Sequence, residues 1–184
     1  MKKEWDTIKV LQHVRHDWLN RLQLIKGNLS LNHVDRAKEI IDEIIVEARH
    51  EAKLTNLNLP QFASSLLTCN WDNHFFQLDY EIADLPHRGK IHDSLLAEWA
   101  EDLFSALDGS IEQFQDNHLS VLIEPLNDGI RFFFDFCGII KDKSILKGFL
   151  ENHAEPSLVL DAWNIHDTAV SIEIFSFYCR GRVK

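Results

Sequence analysis

Apolar residues recur along the first thirty positions at alternating spacings of three and four. With Ile8 at heptad position a, Leu11, Trp18 and Ile25 fall at d, and Leu22 and Leu29 at a. Arg15 is the one polar residue in that seam. Positions b (Lys9, His16, Gln23, Ser30) and f (Asp6, His13, Asn20, Gly27) carry no apolar side chain. This pattern predicts an amphipathic helix over about residues 4–31. Leu31-Asn32-His33 reads as a turn, with Asn32 as the N-cap of a second helix and Asp35 three residues on. Val34, Ala37, Ile41, Ile44 and Ala48 repeat the spacing, and Ile40 and Ile45 widen the stripe, to an end near Leu54. So short a connection makes the two helices antiparallel neighbours. Such a hairpin is one layer, with an apolar side still open. Either a second copy covers it, giving a four-helix bundle in a symmetric dimer, or the rest of the chain does. The dimer is the expectation.

After Pro60 the texture changes. Gln61 to Phe76 reads as a helix, and Gln77 to Ile82 alternates like a strand. Asp93 to Phe114 is a long apolar-periodic helix. The runs 118–124 and 130–136 flank Asn127-Asp128-Gly129, a hairpin signal. A helix over Lys143 to Asn152 and strands over 157–163 and 169–178 complete the pattern. The expected fold class is α+β. A helical hairpin over residues 1–58 serves dimerisation, and an α/β layered domain fills 59–184.

Composition narrows the function. The first 58 residues hold 10 Lys/Arg against 9 Asp/Glu, a net +1; the remainder holds 9 against 20, a net −11. An acidic second half is a poor binder of nucleic acid or nucleotide phosphate. No apolar run is long enough to span a membrane, and the charged start is not a secretory signal. Cys69, Cys137 and Cys179 are odd in number and lack CxxC spacing. They read as reduced, mostly buried thiols of a cytoplasmic protein, neither disulfides nor zinc ligands.

The chemistry then centres on His16. A neutral imidazole is a nucleophile and can carry a phosphoryl group covalently. It must stand clear of the bundle for in-line approach and be held on a rigid element. A b position on a packed helix meets both needs. Its neighbours Gln12, His13, Leu19, Asn20 and Gln23 leave room around it. Folding the hairpin about its turn puts His16 roughly opposite His50, with Arg49 and Lys53 near enough to steer an acidic partner or to neutralise a transferring phosphoryl group. Asp17, about 100° away around the helix, is not an obvious orienting base. Gly27 is either a tolerated defect or a point of close approach for a partner backbone.

The stretch HVRHDWLNRLQLIKGNLSL, with EARHEAKLTNL on the second helix, closely resembles the sporulation initiation phosphotransferase B family. The resemblance implies a homodimer built through helical hairpins and a phosphorelay activity. A histidine there takes a phosphoryl group from the aspartate of a single-domain response regulator. It passes the group to the aspartate of a second, transcription-factor regulator in sporulation initiation. By match to the motif that histidine is His16, with Arg15, Asp17, Trp18 and Asn20 in the same block and Lys53 in the second-helix segment. The second half is expected to resemble a degenerate histidine-kinase ATP-binding domain. LFSALDGSIEQF on the long helix has no asparagine for Mg²⁺, and Asp135-Phe136-Cys137-Gly138 lacks the two-glycine spacing of a nucleotide loop. No cofactor or metal is therefore expected in the chain, Mg²⁺ belonging to the partner regulator. The rival readings are an ATP-dependent histidine kinase and a non-catalytic dimeric adaptor for response regulators.

Overall fold

The structure is a computed structural model and describes residues 5–84, 89–152 and 157–179. In chain order it holds α1 (Thr7–Ser30), α2 (Val34–Asn56), α3 (Pro60–Cys69), β1 (Gln77–Ile82), α4 (Asp93–Ser110), β2 (His118–Pro125), β3 (Gly129–Cys137), α5 (Lys143–Asn152), β4 (Val159–Ile165) and β5 (Ala169–Phe177). It is an α+β chain. It divides into two compact units, residues 1–51 and 52–184. The division falls inside α2, earlier than the 58/59 junction expected from composition. The reason is that Leu54, Leu57 and Leu59 are buried in the second unit's core.

In the first unit the turn is built differently from the expectation. Asn32 adopts φ 57°. His33 N–H donates to the Asn28 carbonyl at 2.9 Å and Asn32 N–H to that of Leu29 at 3.1 Å. That is a left-handed close on α1, a conformation asparagine tolerates, not an N-cap for α2. At the other end Asp6 caps α1, its carboxylate accepting from Lys9 N–H at 2.9 Å. Glu4, where the pattern starts the helix, lies outside the described residues. Arg21 pairs with Glu47 across the hairpin and fixes its antiparallel register.

The second unit is a five-stranded sheet in the order β1-β2-β3-β5-β4. β1 is parallel to β2 and the other neighbours are antiparallel. In β3 the alternation is strict: Ile130, Phe132, Phe134 and Phe136 are buried while Asp135 and Cys137 are exposed. Phe62 of α3 meets Phe132 edge-on at 5.4 Å, and Trp99 of α4 lies 5.2 Å from Phe134. The helices thus pack on that face.

Two helices end sooner than their apolar periodicity. α3 stops at Cys69 because the Asn70 side chain clamps both backbone groups of Leu78, at 2.8 Å each. α4 stops at Ser110 because Ile111 bridges to Ile140. Beyond it Phe114 sits at φ 60° and is 91 % exposed. Pro60 opens α3 without a donor to satisfy, and the Asp93 carboxylate accepts from Gln61 N–H and Phe62 N–H at 2.9 and 3.0 Å. The cysteines correct the expectation of burial. Only Cys69 is buried, and burial pushes its thiol up to about 12, with Asp72 and Asp108 adding to the shift; Cys137 and Cys179 are exposed.

Candidate functional site

α1 has no buried residue in the single chain. Its half-covered positions, Val10, His13, Asp17, Arg21, Ile25 and Asn28, follow helical spacing and mark the stripe turned to α2. The a/d seam, offset from that stripe, stays open: Ile8, Leu11, Trp18, Leu22 and Leu29 are all about half exposed or more. His16 lies on the other side of the helix from the seam, its side chain 73 % exposed.

Two polar groups converge on one nitrogen of that ring. Asn20 Nδ2 lies 3.2 Å from His16 Nδ1, and Asp17 Oδ1 lies 3.4 Å from the same atom. Neither contact involves Nε2. A proton on Nδ1, facing the Asp17 carboxylate, leaves the Nε2 lone pair free to attack. An Asn20 N–H donated to Nδ1 moves the proton to Nε2, so the two neighbours favour opposite tautomers. The Asp17 contact corrects the sequence reading. Successive Cβ atoms do diverge by about 100°, but two exposed side chains bend toward each other and close the gap. The Asn20 contact was legible, since residues four apart share a helix face.

The other expected residues fall as follows. Gln12, Arg15, Leu19, Gln23 and Arg49 are exposed. Carried along the hairpin, the Arg21–Glu47 register sets His16 level, to about one turn, with Arg49 and His50. His13, one of the neighbours of His16 on the helix, lies against Trp5 at a centroid distance of 5.0 Å. Lys53 belongs to the second unit. Its Nζ is 2.7 Å from Asp84 Oδ1 and donates to the Ile82 carbonyl at 3.2 Å. Both contacts tie it to the end of β1.

In the second unit the glycines of the two segments weighed above for nucleotide binding differ in their surroundings. A Cβ on Gly138 would lie 2.2 Å from Asn117 Oδ1. Asn117 is itself buried and ties Phe75 O, Glu112 O and Ile139 N–H together. Gly138 therefore answers to Asn117. Gly109 faces Ile145, whose methyl would lie 3.6 Å from an added Cβ. No group of three or more metal-ligating side chains gathers among the described residues.

Two family descriptions match the chain: the Sensor_kinase_SpoOB-type alpha-helical domain over residues 1–57, and the C-terminal domain of sporulation initiation phosphotransferase B over 58–176. Sporulation initiation phosphotransferase B of Bacillus subtilis (strain 168) is 38 % identical over 152 residues, covering 82 % of this chain and 79 % of its own. Among solved structures, the Acinetobacter baumannii histidine kinase AdeS superposes with a TM-score of 0.44 at 7 % identity, over 89 % of this chain and 98 % of that one. A bacterial phosphotransferase does so with a TM-score of 0.40 at 10 % identity, over 94 % and 98 %.

Proposed function

The chain belongs to the sporulation initiation phosphotransferase B family, and from that premise we propose that it is a phosphorelay phosphotransferase with His16 as the covalent carrier. The donor is the phosphorylated aspartate of one response regulator and the acceptor the aspartate of a second. The observation that carries this reading is the His16 ring, exposed on a capped helix with both polar contacts on Nδ1.

In the forward step Nε2 attacks phosphorus, the acyl-phosphate P–O bond breaks, and the donor's carboxylate leaves with the bonding pair. The Nδ1 proton stays on the ring, and the charge that appears there is balanced by Asp17. The return step is the same displacement run toward the second regulator's carboxylate. Mg²⁺ belongs to the regulators in both steps, and this chain supplies no cofactor. The carrier is a homodimer joined through the exposed a/d seam, which leaves its two His16 rings on outward faces. Among the described residues no helix is long and apolar enough to cross a membrane, which is consistent with work in the cytoplasm.

The test uses a response regulator labelled on its aspartate with radioactive phosphate, without ATP. Label moves to this chain as an acid-labile, base-stable adduct, and His16→Gln abolishes it. An intact His16→Gln chain that still takes label sinks the assignment. A wild-type dimer that binds the regulator and takes no label leaves a non-catalytic adaptor.

A further inference from the structure

The face of the sheet opposite Phe132 and Phe134 carries a regular grid of side chains where β2 begins and β3 ends. His118 of β2 stands directly across from Cys137 of β3, and Cys137 directly across from Ala169 of β5. The next row is Asp79, Ser120, Asp135 and Ser171. Directly opposed residues of antiparallel strands share a face, with their Cβ atoms about 5 Å apart. Cys137, Ser120, Asp135 and Ser171 are all exposed. The sulfur therefore stands on a rigid strand, open to solvent, beside an imidazole.

Exposure alone selects no thiol, since Cys179 is exposed as well. What separates Cys137 is the pair of groups next to it. His118 Nδ1 lies 3.5 Å from a carboxylate oxygen of Asp79, which β1 supplies on the far side of β2 from Cys137. A proton on Nδ1, facing that carboxylate, leaves the Nε2 lone pair to take a proton from the thiol. Three adjacent strands thus bring together a nucleophile, a base and a carboxylate that orients the base. Ala169, on the other flank, is too short to shield the sulfur. Asp135 adds a bias of charge. It lies two residues back on β3, about 7 Å away on the same face, and it repels an anion that approaches the sulfur.

We propose that Cys137, with His118 as its base, is a redox-modification site that forms a mixed disulfide with small disulfides bearing an ammonium group near the sulfur. The Cys137 S–H proton passes to His118 Nε2, and the thiolate attacks one sulfur of the small disulfide. The S–S bond breaks, and the departing thiolate takes the proton back from the imidazolium. The Cys137 sulfur is oxidised, the leaving sulfur is reduced, and one free thiol is released per adduct. Asp79 and Asp135 draw the ammonium group in and disfavour a carboxylate in its place. All of these residues belong to the second unit, so the reaction stands apart from the one at His16.

The test treats the reduced full-length chain with cystamine at neutral pH and low ionic strength, stops the reaction with acid, and measures the adduct at each cysteine by peptide mass spectrometry. Cys137 is modified about tenfold faster than Cys179 or more, while buried Cys69 stays unmodified and reports that the fold is intact. His118→Gln brings Cys137 down to the rate of Cys179 and leaves Cys179 unchanged. With 3,3′-dithiodipropionate, a dianion, in place of cystamine, Cys137 loses more of its rate than Cys179 does, and Asp135→Asn narrows that difference. Equal rates at Cys137 and Cys179 in the wild type overturn the site, a comparison that needs no variant to fold. A Cys137 rate unchanged in a folded His118→Gln chain overturns the base. Faster reaction with the dianion at Cys137 overturns the ammonium-bearing class.

Discussion

At the scale of single residues, the site is an exposed imidazole with an organised back. Its two neighbours do different things. The Asp17 carboxylate, 3.4 Å from Nδ1, favours the tautomer whose Nε2 attacks, and the Asn20 amide, 3.2 Å from the same atom, competes for it. Asp17 is about half exposed, so water screens its charge and its share of the catalysis is small. Asp17→Asn is accordingly expected to slow transfer by about tenfold at saturating regulator, below the range a buried acid–base group gives. The regulator concentration for half-maximal rate is expected to stay unchanged. Single-turnover label transfer measured across regulator concentrations checks both. A change confined to the half-maximal concentration would show that Asp17 touches the regulator and does not orient the ring.

Elements record how far a one-dimensional pattern reaches. α1 is held at its start by Asp6, whose carboxylate is kept below its ordinary 3.8 chiefly by the Lys9 N–H. A carboxyl lowered in the folded state stabilises it above the unfolded value and loses that support as pH falls through the folded one. The first turn of α1 is therefore expected to fray as pH drops below about 4. Loss of protection of the Lys9 amide there, measured against its intrinsic exchange rate at the same pH, with Asp6→Ala already unprotected at neutral pH, checks it. Equal Lys9 protection in Asp6→Ala and wild type at neutral pH removes the cap from the account. The periodicity of α1 and α2, the alternation of β1, the strand runs of β2, β3 and β5 and the Asn127–Gly129 turn were all legible, because each follows from side chains within a few residues. The early ends of α3 and α4 were not. They depend on Asn70 reaching Leu78 and on Ile111 meeting Ile140, contacts between segments that no local spacing encodes. The same holds for the site. His16 and Asn20 share a helix face and could be read together, whereas the pairing of Lys53 with Asp84 joins residues far apart in the chain. Asn32 was misread because asparagine serves N-caps and left-handed closes alike, and only the φ of 57° separates them.

For the whole molecule the open question of packing is the hairpin's own. The second unit has a closed core from Leu54 to Ile174, while the first leaves its seam to solvent. Ile8, Leu11, Trp18, Leu22 and Leu29 are each already partly covered, so burying the rest contributes roughly 1 kcal/mol apiece. Over two copies that is about 10 kcal/mol, the same size as the cost of associating two molecules, about 4–15 kcal/mol. α1 alone therefore does not decide the dimer, and Val34, Ile41 and Ile45 of α2, also exposed, supply the margin. A two-fold axis makes one substitution act twice. Leu22→Glu places two carboxylates in an apolar stretch of the seam, whose one charged member, Arg15, lies about two turns away along the helix. An unpaired buried charge costs at least about 3 kcal/mol, or roughly 150-fold in the dimer's dissociation constant. Sedimentation is expected to show a wild-type dimer and a Leu22→Glu monomer at the same concentration. The near-ultraviolet signal of Trp99 in the second unit's core should be preserved in both. A variant that remains a dimer puts the contact elsewhere than the seam. A wild type that is monomeric at high concentration means that a surface this apolar serves a different partner, and the outward placement of the two His16 rings falls with it.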